Sequence, residues 1–210
     1  MEYEVRFYYA SDKLEEIINK LSGFKELTKG LRTYEKTIQY NHCDSRYDFY
    51  SKDIDGRFRI RISKNDEIAK CKLSWKRRLP DTHTSDINKE EEKEVNIPYE
   101  DVDNFLYIVE NVMHFNLVES YERYRTIFYN EDIEISVDEY PFGIALEIES
   151  KTKDKNPEDV VKEWVSKLGL DIKDSYRLSW DDKYEELCDE QGITKYNEVT
   201  FDKEMPEVEW

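Results

Sequence analysis

Glu2-Tyr3-Glu4-Val5-Arg6-Phe7 opens the chain with a strand pattern on which the reading of the fold turns. Side chains alternate faces along a strand, so Glu2, Glu4 and Arg6 share one face and Tyr3, Val5 and Phe7 share the other. An ordinary half-buried strand scatters polar residues on its water side. This one sets two acids and a base in line against a clean apolar face. Taken alone, a solvated face explains it.

Later stretches repeat the segregation. Arg57/Arg59/Arg61 oppose Phe58/Ile60/Ile62, and Lys70/Lys72/Lys76 oppose Cys71/Leu73/Trp75. Glu92/Glu94 oppose Val95/Ile97, and Arg123/Arg125 oppose Tyr124/Phe128. Glu134/Asp138 oppose Ile133/Ile135/Val137, and Glu147/Glu149 oppose Leu146/Ile148. Within most of these strands the charge has one sign, although like charges side by side destabilise a solvated sheet. Rows of Arg and Lys set against rows of Glu therefore predict a charged interior that holds a polyanion together with cations. The simplest geometry is an α+β fold: a closed or nearly closed antiparallel β-barrel turned inside out, with helices covering its apolar outer face. Such a lumen suits a polyphosphate and not a duplex. Arg offers a planar fork and Lys a point charge to successive phosphates. The carboxylate pairs Glu2/Glu4 and Glu147/Glu149 supply the hard oxygens that Mg²⁺ or Mn²⁺ prefers.

The whole chain, 210 residues, suits one domain with a real core. Hydrophobic content is only 38%, and 14% aromatics compensate in buried area. The formal charge of -17 repels nucleic acid and anionic membrane in the mean while leaving room for a local basic site. Cys43, Cys71 and Cys188 are scattered, as free thiols in a reducing compartment are. With no signal-like N-terminus and no apolar run of spanning length, the expectation is a cytoplasmic protein with no membrane partner.

Leu14, Ile17, Ile18 and Leu21 mark a helix with N-cap oxygens at Ser11 and Asp12 and a C-cap at Gly23. Residues 33–41 and 47–51 read as strands joined by a turn, and 79–89 as a mobile loop. Pro98 starts a helix facing inward through Val102, Phe105, Leu106, Val109 and Met113. Asn156/Pro157 open another, burying Val160, Val161, Trp164 and Leu168, and Ser179 with Asp182 opens the last. Residues 1–192 make the domain, and 193–210 an acidic, irregular tail with Phe201 and Trp210 as anchors. His42, His83 and His114 lack ligand spacing, and Trp75, Trp164 and Trp180 read as core.

In order and spacing these motifs resemble the CYTH superfamily, the triphosphate tunnel metalloenzymes. The resemblance runs from Glu2-Tyr3-Glu4-Val5-Arg6, with Arg where the family has Lys, through Phe58-Arg59-Ile60-Arg61 and Lys70-Cys71-Lys72-Leu73-Ser74-Trp75-Lys76. It continues through Glu92-Lys93-Glu94 and Arg123-Tyr124-Arg125 to Val137-Asp138 and Glu147-Ile148-Glu149, covering residues 2 to about 188. It implies an eight-stranded tunnel binding a triphosphate with Mg²⁺ or Mn²⁺. Carried over, it makes Glu2, Glu4, Glu147, Glu149 and Asp138 metal ligands, with Glu4, Glu147, Asp138 and Arg6 catalytic. The triphosphate falls to Arg6, Arg59, Arg61, Lys70, Lys72, Lys76, Arg123 and Arg125. Glu92, Glu94, Arg57, Arg177 and Lys183 stand as additional candidates.

The function expected is a Mg²⁺- or Mn²⁺-dependent triphosphatase, because phosphoryl transfer needs positioning and charge neutralisation more than a dedicated nucleophile. An adenylyl cyclase of class IV type is the second enzyme reading. It requires a ribose held in line, and the His-Phe that precedes the first motif in such cyclases is absent here. A non-catalytic triphosphate or polyphosphate binder is the third reading. The expected partner is a triphosphate-containing small molecule, and the expected state a monomer or homodimer.

Overall fold

The computed structural model describes residues 2–49, 56–78 and 87–209. In chain order the elements are β1 (Glu2–Tyr9), α1 (Leu14–Ser22), β2 (Thr28–Lys29), β3 (Thr33–Asn41), β4 (Gly56–Lys64), β5 (Ala69–Arg78) and β6 (Asn88–Ile97). There follow α2 (Val102–Tyr107), β7 (Asn116–Tyr129), β8 (Ile133–Tyr140), β9 (Gly143–Ser150), α3 (Pro157–Lys167), α4 (Trp180–Gln191) and β10 (Glu198–Val199). Eight strands run in the order β7-β3-β4-β5-β6-β1-β9-β8, every neighbouring pair is antiparallel, and β8 returns to β7 to close the barrel. The fold is the inside-out α+β barrel that the charge rows predict.

Period-two alternation explains why the core lies outside the barrel. The odd-numbered side of β1 and its counterparts on β8 and β9, among them Val5, Phe7, Ile133, Ile135, Val137, Leu146 and Ile148, form one apolar cluster with the inner faces of α1 and α3. On the opposite wall, Ile60 and Cys71 pack with Val102 and Val109. Burying a side chain of this size contributes about 1.5–3 kcal/mol, so these clusters carry much of the fold's stability. The helices are held at their ends by local chemistry. Asn156 Oδ1 accepts from the Glu158 and Asp159 amides at 2.9 and 3.4 Å, ahead of a helix with Pro157 in its first turn. The Ser179 amide donates to the Asp182 carboxylate at 2.9 Å.

Several local expectations are corrected. Residues 47–49 are not a strand, because Asp44 instead caps a short 3₁₀ turn at Ser45–Tyr47, while 50 and 51 lie outside the described residues. Ser11 and Asp12 sit inside a 3₁₀ turn rather than capping α1, whereas Gly23 is its C-cap as expected, with an ordinary φ of -72°. Of the stretch 79–89, residues 79–86, with His83, lie outside the described residues, and β6 is already under way at Asn88. The helix after Pro98 begins as a 3₁₀ turn and ends in a widened turn, where the Met113 amide donates to the Ile108 carbonyl at 2.8 Å. Met113 is exposed.

The C-terminal stretch is not irregular throughout. β10 pairs in parallel with Ser120 and Tyr121 of β7, and Val199 and Val208 are buried. The tight β8–β9 turn is glycine-dependent: Gly143 has φ +149°, and a Cβ there would come within 2.8 Å of the Val208 side chain and 2.9 Å of the Tyr9 carbonyl. Phe201 is 45% exposed, its ring 5.3 Å from that of Tyr124, and Trp210 lies outside the described residues.

Candidate active site in the barrel lumen

The barrel encloses a cavity of about 330 Å³ whose wall is mostly charged. Pairing registers bring the rows together. Glu4 and Arg6 of β1 face Glu149 and Glu147 of β9, Arg61 of β4 faces Lys72 of β5, and Lys76 faces Glu92 of β6. Of the residues singled out in the sequence, Glu2, Glu4, Arg6, Arg59, Arg61, Lys70, Lys72, Lys76, Glu92, Glu94, Arg123, Arg125, Glu147 and Glu149 line it.

Among the described residues, three carboxylates stand close enough together to share one cation. One oxygen each from Glu2, Glu4 and Glu90 lies within 4.8 Å of the other two. The Lys76 ammonium sits among them, 2.9 Å from Glu2 and 3.5 Å from Glu4 and in contact with Glu90. Burial opposes the charge on Lys76, but Glu4 and Glu2 hold its pKa above the usual lysine value. Burial likewise opposes the Glu2 charge, and Lys76 nevertheless holds that carboxyl below its ordinary range. A buried set of oxygen donors that already draws in an ammonium fits a hard divalent cation such as Mg²⁺ or Mn²⁺.

Glu147 and Asp138 are paired with arginines. Glu147 accepts from Arg6 Nε at 2.7 Å and from Arg125 Nη2 at 2.8 Å. Burial works against its charge, yet Arg6, Arg125 and Arg123 hold it well below the usual carboxylate range. Asp138 is 0% exposed and does not reach the cavity wall. Its oxygens accept from Arg123 Nη1 at 2.8 Å and from Arg125 Nε and Nη2 at 2.5 Å each. Buried Arg123 and part-buried Arg125 are thereby fixed in position. Glu149 accepts from Lys151 Nζ at 2.6 Å, and burial together with the charge of Glu2 pushes its carboxyl up to about 7.

Arg57, Arg177 and Lys183 do not line the cavity. Arg57 lies 3.9 Å from Asp181, and Lys183 lies 3.7 Å from Glu186 and near the Tyr176 ring. The Arg177 carbonyl accepts from Asn88 Nδ2 at 3.3 Å. Glu134, on the charged face read from the sequence, also lines the lumen, and so do Glu35, Ser63, Tyr121, Tyr140, Lys151 and Trp180, which the sequence reading does not place there. Glu35 accepts from Arg123 Nε and Nη2 at 2.9 and 2.7 Å and from Ser63 Oγ at 2.9 Å. The signal for it lies in Glu35-Lys36-Thr37-Ile38-Gln39, where alternate polar residues share a face and charged Lys36 obscures the alternation.

No family model and no curated protein matches this chain. Solved structures do. The PH1819 protein of Pyrococcus horikoshii aligns at TM-score 0.68 and 25% identity over 89% of this chain and 99% of its own. A candidate adenylyl cyclase from Hippeastrum, described as having a dominant triphosphatase activity, aligns at TM-score 0.59 and 17% identity over 94% of this chain and 99% of its own. A candidate adenylate cyclase from Vibrio parahaemolyticus aligns at 0.60 and 16% over 86% and 96%. Among the described residues, no helix is long and apolar enough to cross a membrane. With its closed eight-stranded antiparallel barrel, its charged lumen and these structural neighbours, the chain has the CYTH-like triphosphate tunnel fold.

Proposed function

We propose that the chain is a Mg²⁺- or Mn²⁺-dependent phosphohydrolase acting on a triphosphate-containing substrate, with water attacking the terminal phosphate. One observation carries this reading: two members of the three-carboxylate cluster, Glu2 and Glu4, line the same cavity of about 330 Å³ on which arginines and lysines converge. The dominant triphosphatase activity described for the Hippeastrum protein is additional support. Glu2, Glu4 and Glu90 would hold the cation, with Lys76 competing for the same carboxylates. When bound, the cation neutralises phosphate charge and polarises the oxygens around the reacting phosphorus.

The side chains supply the rest. Arg59, Arg61, Arg123 and Arg125 orient the chain of phosphates, with Glu35, Asp138 and Glu147 fixing the last two of these guanidinium groups in place. A water oxygen bonds to the terminal phosphorus as the bridging P–O bond breaks. The shortened chain leaves with the bridging oxygen, orthophosphate departs, and the water proton passes to solvent.

The test is a panel of inorganic triphosphate, ATP, GTP, thiamine triphosphate and RNA 5'-triphosphate with Mg²⁺ and with Mn²⁺, resolving the products. Orthophosphate is the expected product, with turnover abolished and the fold retained in Glu4→Gln. Cyclic AMP and pyrophosphate in equal amounts from ATP, faster than phosphate release, would replace the hydrolase by the cyclase. Tight binding without turnover would leave a binding module.

A further inference from the structure

The lumen is stopped where α4 begins. Trp180 lines the cavity, is 5% exposed, and lies 4.3 Å ring to ring from Tyr121 and 6.2 Å from the nearly parallel ring of Tyr140. Behind it, Tyr184 and Leu187 pack in one apolar cluster with Phe142, Val199 and Val208. Lys72, Glu94 and Lys151 mark the opposite end, with side chains 34%, 39% and 38% exposed. Among the described residues, the cavity is therefore stopped by buried Trp180 at one end and lined by exposed side chains at the other.

Two donors of the lumen wall, the Trp180 indole Nε1–H and the Arg59 Nε–H, are buried without an acceptor among the described residues. A buried donor left without an acceptor is costly, so a native fold keeps such groups where an acceptor arrives from outside. Arg59 has Glu92 at 3.3 Å, but Arg61 and Arg57 crowd it with like charge. Burial opposes ionisation of Tyr121, yet Arg123, Arg61 and Arg59 bring its phenol down to about 8. Three guanidinium groups thus bear on one phenol at the stopped end, and Thr37 and the Tyr140 and Trp180 rings complete its surroundings.

We infer that Trp180 is an end stop for a phosphate chain, its indole N–H and the Arg59 Nε–H donating to oxygens of the free terminal phosphate. Trp180 has this role only if the lumen takes a phosphate chain, as proposed above. Substrates then enter end first through the Lys70/Lys72 mouth, and whatever follows the third phosphate stays outside. Linear phosphates of any length present the same terminus to the stop, and ring-closed phosphates present none.

The test uses the full chain labelled on its indole nitrogens and titrated separately with inorganic triphosphate, tetraphosphate and trimetaphosphate. Calorimetry reports binding independently. The Trp180 resonance is identified by its loss in Trp180→Phe, which keeps a ring in the stop, or by through-space signals to Tyr121. Triphosphate and tetraphosphate should shift it alike, and trimetaphosphate should leave it in place. Trp164, which packs against α1-side residues on the outer face, should not move in any titration. Trp180→Phe should weaken triphosphate binding about tenfold, the effect of one hydrogen bond to a charged acceptor. Triphosphate binding with the Trp180 resonance unmoved would overturn the end stop and leave the triphosphatase reading intact, as would an equal shift with trimetaphosphate. No triphosphate binding at all would overturn both.

Discussion

At the α4 end of the lumen, Arg123 is 2% exposed and divides its guanidinium between Glu35 and Asp138. At the mouth, Lys72 meets Glu94 at 2.6 Å with both side chains more than a third exposed. The two ion pairs look alike in a contact diagram and differ in physics. Water screens the second and replaces it readily when either partner leaves. Nothing replaces the first, so its charges are held by one another and by Ser63 and Tyr140. The buried end is therefore rigid and its geometry belongs to the fold. The mouth can exchange partners, as the entrance of a binding channel must.

The widest break in this comparison is Arg123→Met. Removing one member of a buried network leaves Glu35 and Asp138 with uncompensated charge, and a loss of about 3–5 kcal/mol is expected in the urea unfolding free energy. The deficit should shrink in acid. Burial alone would raise the Glu35 pKa, but Arg123, Arg61 and Arg125 hold it below the carboxylate range. Its contribution is present above the unfolded carboxylate value of about 4.3 and is lost as pH falls through the folded one. A midpoint unchanged at neutral pH would mean that the α4 end is as well hydrated as the mouth.

A second, smaller break concerns Glu149, which lies between the two regimes, buried enough to be pushed up to about 7 yet paired with half-exposed Lys151. Here the sign reverses. A carboxyl with a raised folded pKa binds its proton more tightly in the native state, so stability is full below the unfolded value and falls as pH rises toward about 7. In EDTA, Glu149→Gln should remove that fall and leave the variant more stable at pH 8 by about 3 kcal/mol. Parallel stability curves for parent and variant between pH 4 and 8 would show Glu149 to be as solvated as the mouth residues.

The sequence made the barrel legible because charge segregation on successive strands has few geometric solutions. Glu2/Glu4, Arg59/Arg61 and Arg123/Arg125 each declare a face by strict alternation with apolar neighbours. Glu90 stayed hidden since Glu90-Glu91-Glu92 has no alternation to read, and the start of β6 at Asn88 adjoins a stretch with no period. Asp138 alternates correctly but is overtaken by Arg123 and Arg125, which reach across β7 and β8 to claim both its oxygens. Trp180 carries the same lesson. A buried aromatic at the start of an amphipathic helix reads as core, and only the closure of the barrel turns part of its surface toward the lumen.

The smallest expected effect tests the mouth itself. Lys72→Met removes an ammonium that binds Glu94 at 2.6 Å across two strands, a cross-strand pair between β5 and β6. An exposed pair of this kind contributes about 0–1 kcal/mol, and the methionine retains much of the stem's apolar contact, so the unfolding midpoint should barely move. The effect should appear in ligand entry. The chain carries a formal charge of -17, and a polyphosphate approaching it meets a repulsive field except where lysines gather at the mouth. Losing one mouth cation should slow triphosphate association a few-fold at low ionic strength while leaving dissociation nearly unchanged, because the phosphates finally rest against deeper arginines. The difference should fade once the Debye length drops to about 8 Å near physiological salt. Stopped-flow measurement of association and dissociation across a salt series decides it. A change confined to the dissociation rate, insensitive to salt, would place Lys72 among the groups that grip the bound phosphates and erase the distinction between the two ends.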